Sequence, residues 1–180
     1  MKDVESRLLA ELFRNSRRSD RELAKVLHVS QPTVSRAIKR LEEQGVIKDY
    51  TMIPNFEKLG YQILALTFLK VTNALNKEQI NRVKDIIAKS LKTGPFEVVM
   101  LERGLGLEFD AAMISYHTDY SSHVKLLEWL KQFDFLSLEE TGSFLINLQD
   151  QVRYHPLSLS TLANHLLQMS DDKKSLANPI

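Results

Sequence analysis

Between positions 30 and 40 the chain sets out Ser30, Gln31, Thr33, Ser35, Arg36, Lys39 and Arg40. An amide such as Gln31 can pair with two edge atoms of adenine, and a guanidinium such as Arg36 or Arg40 with two of guanine. Thr33, Ser35 and Lys39 suit phosphate oxygens or base edges. Upstream, Arg17 and Arg18, with Arg14, make a basic break that would grip a phosphate backbone; the plain alternative is a solvated turn. Other chemistry is harder to assemble. The five histidines (His28, His117, His123, His155, His165) lack zinc-ligand spacing. No nucleophile and base stand together, and Arg103-Gly-Leu-Gly106 is too short for a dinucleotide fingerprint. Catalytic residues, metal and cofactor are therefore not expected.

The polar set needs a rigid carrier. Arg21 to Leu27 puts Leu23, Ala24 and Leu27 on one helical face, and Val34, Ile38 and Leu41 repeat at i, i+4 and i+7 after Ser30. Ser30 is a good N-cap, and Pro32 falls in the first turn, where a missing N–H costs least. His28-Val29-Ser30 makes the turn between the two helices, with His28 where a glycine is common; His28 must then enter the left-handed region. Ser19 and Glu22 form a capping box. Val4, Leu8 and Leu12 mark an earlier amphipathic helix, and Gly45 supplies a left-handed stop after the third. Val46 and Ile47 are expected to open a short strand or wing. Residues 1–50 thus read as a three-helix unit around a helix-turn-helix, whose second helix enters the major groove.

Charge agrees with this polarity. Residues 1–50 hold 11 Lys and Arg against 8 Asp and Glu, and the rest of the chain 13 against 15. The basic excess at the N-terminal end favours a polyanion partner. The chain has no cysteine, in keeping with a reducing cytoplasm, and no apolar run of about 18 residues to span a membrane.

Residues 51–61 read as a linker, with Pro54 and Gly60. Ile63–Val71 is a buried strand. Asn76 and Gln79 cap a helix faced by Ile80, Val83, Ile86, Ile87 and Leu91, which Thr93-Gly94-Pro95 breaks. Phe96–Arg103 and Leu107–Tyr116 are strands joined at Gly104-Leu-Gly106. Asp119–Phe133 is a second helix, with Val124, Leu127 and Leu130 inward and Trp129 beside them. Leu136–Leu148 is a fourth strand, with Gly142 at a bulge. The order β-α-β-β-α-β is the ferredoxin-like split unit, over residues 62–150. Leu64, Leu66, Phe68 and alternate residues of Phe96–Leu101 make both sheet faces apolar; a twofold partner would cover the face without helices. Residues 151–180 are an extension, with a helix from Leu157 to Met169 striped by Leu159, Leu162 and Leu166, and a solvated end from Asp171. The extension could lie across the sheet, extend an interface or occupy a ligand site. The fold class expected is α+β: an N-terminal three-helix winged helix-turn-helix domain plus a ferredoxin-like domain.

This plan resembles the Lrp/AsnC family of regulators. The resemblance rests on SDRELAKVLHVSQPTVSRAIKRLEEQGVIKDY, LGYQILALTFLKV, EFDAAMISYHTD and LEETGSFLI, spread over about residues 1–150. It implies a cytoplasmic, sequence-specific DNA-binding transcriptional regulator rather than an enzyme. It implies a homodimer, often assembled to octamers, on pseudo-palindromic double-stranded DNA. It also implies a small-molecule effector, often an amino acid, near the loop of Gly104, Gly106, Glu108 and Asp110, where Asp110 takes the family's Asp place. Siroheme decarboxylases look like the same family and give the alternative, an enzyme whose candidates here would be His117, Arg103 and Tyr116.

Overall fold

A computed structural model describes residues 3–71, 76–93, 97–133, 135–152 and 154–177. Its elements run α1 (Asp3–Arg14), α2 (Asp20–Leu27), α3 (Gln31–Glu43), a 3-10 turn (Glu57–Leu59), β1 (Ile63–Val71), α4 (Lys77–Thr93), β2 (Glu97–Gly106), β3 (Phe109–His117), α5 (Tyr120–Leu130), β4 (Leu136–Asn147) and α6 (Ser160–Ala177). They fall into two compact units, Met1–Ile53 with Arg153–Ile180, and Pro54–Val152.

In the first unit, Leu8, Leu23, Val34 and Leu41 are within 1 % of complete burial, and Ala24, Leu27 and Ala37 pack with them. These are the stripes that the helical period marks out. The expected strand at Val46–Ile47 is absent. Both amides instead bond to the Leu41 carbonyl, at 2.9 and 3.1 Å. Gly45 turns the chain at φ 68° and Ile47 tucks against the core, so no backbone is left to start a ladder.

The C-terminal extension packs on α1. Ala163 is fully buried and Leu166 joins the core of α1–α3. Arg14 donates to the Asn164 amide oxygen at 3.0 Å. The expected stripe is thus rotated: Leu159 and Leu162 stay 42 % and 44 % exposed. The helix starts later than Leu157, where Ser158 accepts from the Ser160 amide, and it runs through the stretch expected as a solvated end to Ala177. Asn178–Ile180 lie outside the described residues.

The second unit is one antiparallel sheet in the order β2-β3-β1-β4, the β-α-β-β-α-β plan. Ala65, Thr67, Leu69, Met113, Ser115 and His117 are buried on the face that α5 covers with Leu126 and Leu130. The other face carries Leu64, Leu66, Phe68 and Ile114, half-buried, and Met100, Phe144 and Ile146, exposed. Register puts Leu66 between Ile114 and Phe144, so this apolar surface is continuous. At one end Phe56 stacks on Tyr116 at 3.7 Å between ring centres, with Tyr61 tilted beside them. From Pro54 onward the expected linker is thus seated on the sheet. The β1–β4 register shifts just beyond the Phe68–Gly142 pair, where a bulge is expected. The helix α5 stops at Leu130, short of Phe133. Gly94, Pro95 and Phe96 lie outside the described residues, as do the side chains of Gln79 and Leu91.

Candidate nucleic-acid interface

Local signals build the helix-turn-helix. The Ser19 hydroxyl accepts from the Glu22 amide at 3.3 Å, and the Glu22 carboxylate accepts from the Ser19 amide at 2.7 Å. The Ser19 hydroxyl and amide together hold the Glu22 carboxyl below its usual range. This fixes where α2 begins. It ends at His28, which adopts φ 54°, ψ 45°, the left-handed place expected for it. The Val29 amide then reaches back to the Ala24 carbonyl at 3.1 Å. Ser30 caps α3 by accepting from the Thr33 amide at 3.3 Å, and Pro32 sits in the first turn.

The solvent face of α3 is narrower than composition suggests. Gln31, Ser35, Arg36 and Lys39 are exposed; Thr33 and Arg40 are half-buried. The hydroxyls are already engaged. Ser30 and Thr33 share a hydrogen bond at 2.8 Å, and Ser35 donates to the Asp20 carboxylate. Arg40 is paired with Glu5, a carboxylate only 4 % exposed on α1. Among the described residues, Arg36 is held only by its Nε on the Pro32 carbonyl, at 3.2 Å. Lys39 has a loose ion pair with Glu43 at 3.8 Å, both ends exposed. Gln31, Arg36 and Lys39 are therefore the exposed α3 side chains that the fold engages least. The basic break divides similarly. Arg14 and Arg18 both pair with Glu11, whereas the exposed Arg17 side chain has no partner among the described residues. Glu5 and Asp20 escaped the sequence reading, because their partners lie 35 and 15 residues away.

The β2–β3 hairpin differs from expectation. Gly104 and Gly106 lie within β2, and the turn is Leu107-Glu108, with φ 51° and 65°. Two left-handed residues in a two-residue loop match the twist of the strands, even without the usual Asn-Gly. The Asp110 carboxylate accepts from the Val71 amide at 2.9 Å and lies 3.7 Å from the Lys70 ammonium. Lys70 also donates to the Glu108 carbonyl at 2.5 Å. The structure thus gathers Glu108 and Asp110 around Lys70, and leaves Gly104 and Gly106 on an exposed strand.

The residues of the enzyme alternative are not brought together. His117 is fully buried between Ser115 (2.8 Å) and Ser122 (3.2 Å). Burial first, and the neighbouring His123 second, push its imidazole down to about 4. Tyr116 points to the opposite sheet face, under Phe56. Arg103 pairs with Ala111, six residues along β3 from His117, or about 20 Å at strand rise. No group of three or more potential metal ligands occurs among the described residues, nor any helix long and apolar enough to cross a membrane.

Known proteins share both the sequence and the fold. The profile of winged helix-turn-helix DNA-binding domains matches residues 1–48. An uncharacterised HTH-type transcriptional regulator of Pyrococcus furiosus is 32 % identical over 108 residues, which cover 56 % of this chain and 70 % of that protein. In fold, an AsnC family transcriptional regulator from Agrobacterium tumefaciens matches with a TM-score of 0.69 at 19 % identity, over 90 % of this chain and 99 % of that one. A transcriptional regulator of Neisseria meningitidis, solved in complex with L-Met, matches with a TM-score of 0.68 at 20 % identity, again over 90 % and 99 %.

Proposed function

Since the chain belongs to the Lrp/AsnC family of HTH-type transcriptional regulators, we propose that it acts as a homodimer whose two α3 helices read successive major grooves. The observation that carries this reading is the division of labour on α3. Its caps, Ser35 and Arg40 are spent on holding the helix, while Gln31, Arg36 and Lys39 face outward. Gln31 and Arg36 then read base edges; Lys39 and Arg17 neutralise phosphates. The unit Pro54–Val152 supplies the dimer through its open sheet face, because Phe144, Ile146 and Met100 are exposed on a continuous apolar surface. Double-stranded DNA, a second copy and a small effector are its partners, and the cytoplasm its place. The effector site is assigned to the hairpin tip, where Lys70 offers a cation beside Asp110. The L-Met bound to the similarly folded Neisseria protein suggests an amino acid there. No catalytic step is assigned, because His117, Tyr116 and Arg103 stand apart.

Selection of duplexes from a random pool tests the reading. The wild type should enrich two half-sites about one helical turn apart, or a multiple of it. Phe144→Glu should yield monomers by light scattering and enrich single half-sites only. A Phe144→Glu protein that remains dimeric would remove the sheet face from the account.

A further inference from the structure

The helix α4 does not close on the sheet. Its apolar residues Ile80, Val83 and Ile87 are only half-buried, while Leu126 and Leu130 of α5 are 0 % and 3 % exposed. Between α4 and the sheet lies a cleft of about 610 Å³. Packed interiors keep few voids larger than a water molecule, and small-molecule sites span about 300–1,000 Å³. Leu69 and Met113 form the floor, and Trp129, Phe133 and Phe135 wall one end. Such walls offer water few partners, so the cleft suits an apolar body.

Its rim is polar, lined by Lys84 and Arg103 and by the carboxylates Glu102 and Asp110. Arg103 shares the helix-covered face with Leu101, since they pair with Ala111 and Met113 on β3. Lys84 lies on the same stripe of α4 as Ile80, Val83 and Ile87, and lines the same cleft. Neither cation has an ion-pair partner among the described residues. Of the two nearby carboxylates, Asp110 is engaged by Lys70 and the Val71 amide. Glu102 also lines the cleft, but it pairs with Ala112, so strand alternation turns its carboxylate toward the opposite face. Two uncompensated cations therefore stand over an apolar, aromatic-walled slot.

We infer that this cleft is a second ligand site, which takes an amphipathic monocarboxylate: an aliphatic or aromatic body between α4 and the sheet, its carboxylate on Arg103 and Lys84. It lies on the helix side of the sheet, and of the hairpin-tip residues only Asp110, held by Lys70 and the Val71 amide, borders it; Gly104, Gly106 and Glu108 take no part. The proposed carboxylate contacts, Arg103 and Lys84, are not part of the hairpin-tip effector site.

The only tryptophan of the chain, Trp129, lines the cleft and reports its occupancy. Dodecanoate titrated into the full chain should shift Trp129 emission to saturation. Dodecanol, of the same length without charge, should bind about tenfold more weakly, the loss of one good charge-assisted contact. The double variant Lys84→Gln, Arg103→Gln, checked for fold by circular dichroism, should lose the same factor for dodecanoate and none for dodecanol. Val83→Phe, which fills the slot, should abolish both responses. Absence of a saturable Trp129 response to dodecanoate in the wild type would overturn the site. Equal affinities for both probes in wild type and double variant would overturn the carboxylate class.

Discussion

Arg40→Ala separates a structural from a reading role on α3. By composition Arg40 is as good a guanine reader as Arg36. In the fold it is paired with Glu5, whose side chain is 5 % exposed. Removing one partner of a fully buried pair costs about 3–5 kcal/mol, because the other charge is stranded. The Arg40 side chain keeps 37 % exposure, so water screens part of the pair and about 2 kcal/mol is expected. For a unit the size of Met1–Ile53 with Arg153–Ile180, that loss lowers the melting temperature by roughly 8–16 °C. The assay is helical melting by circular dichroism, with hydrogen exchange of α1 and α3 peptides to locate the loss. The double variant Glu5→Met, Arg40→Met should recover most of it, since apolar packing replaces such pairs well. Base preference at the selected site should not change. An Arg40→Ala protein that melts like the wild type, yet loses discrimination at one base position, would show that Arg40 reads a base rather than holding α1 to α3.

Other parts of the fold respond to different perturbations. His117 is held neutral by burial down to about pH 4, whereas an unfolded imidazole takes up its proton near 6.5. The unfolded chain therefore binds more protons between those values. Stability of the sheet unit is greatest above about pH 6.5 and falls as the pH drops toward 4; denaturant midpoints at pH 7.5 and 5 read this, and equal midpoints would count against a buried neutral His117. His28→Gly relieves the left-handed strain at φ 54° and should stabilise the first unit by about 0.5–1 kcal/mol, less what the freer unfolded chain takes back. A clear loss would mean that the His28 side chain makes a contact worth more than the strain. Ala163→Leu overpacks the α1–α6 contact and should cost about 1–3 kcal/mol, seen as faster exchange in α1. Unchanged exchange there would detach α6 from the first unit's stability.

The boundary between what was legible and what was not follows the range of the interactions. The Ser19–Glu22 box, the Ser30 cap, Pro32 and the left-handed His28 each act within four residues, so residue order alone announces them. Strand and helix periods likewise announce β-α-β-β-α-β and an apolar second sheet face. The hairpin turn was misplaced because glycines at 104 and 106 mimic a loop. Leu107 and Glu108 instead take the positive φ that strand twist demands. The short strand expected at Val46–Ile47 did not form, and nothing local says that these two amides find their acceptor on Leu41. On α3 the polar residue types were readable, but their engagement was not. Asp20 claims Ser35 and Glu5 claims Arg40 only once the helices have packed. Nor does the stripe of α6 indicate which side meets α1, since Leu159 and Leu162 advertise the wrong one.

The central claim is that α3 reads sequence through Gln31 and Arg36. Footprinting on the chain's own upstream DNA, at 50 and 200 mM salt, with wild type and Arg36→Ala side by side, tests it most directly. Phosphate contacts weaken steeply over that range, whereas base discrimination persists in what binding remains. Protected patches at helical-turn spacing should survive the higher salt in wild type. Arg36→Ala should lose about 1–3 kcal/mol and relax preference at one base position. Diffuse protection that salt abolishes, or an Arg36→Ala loss equal on all sequences, would contradict it.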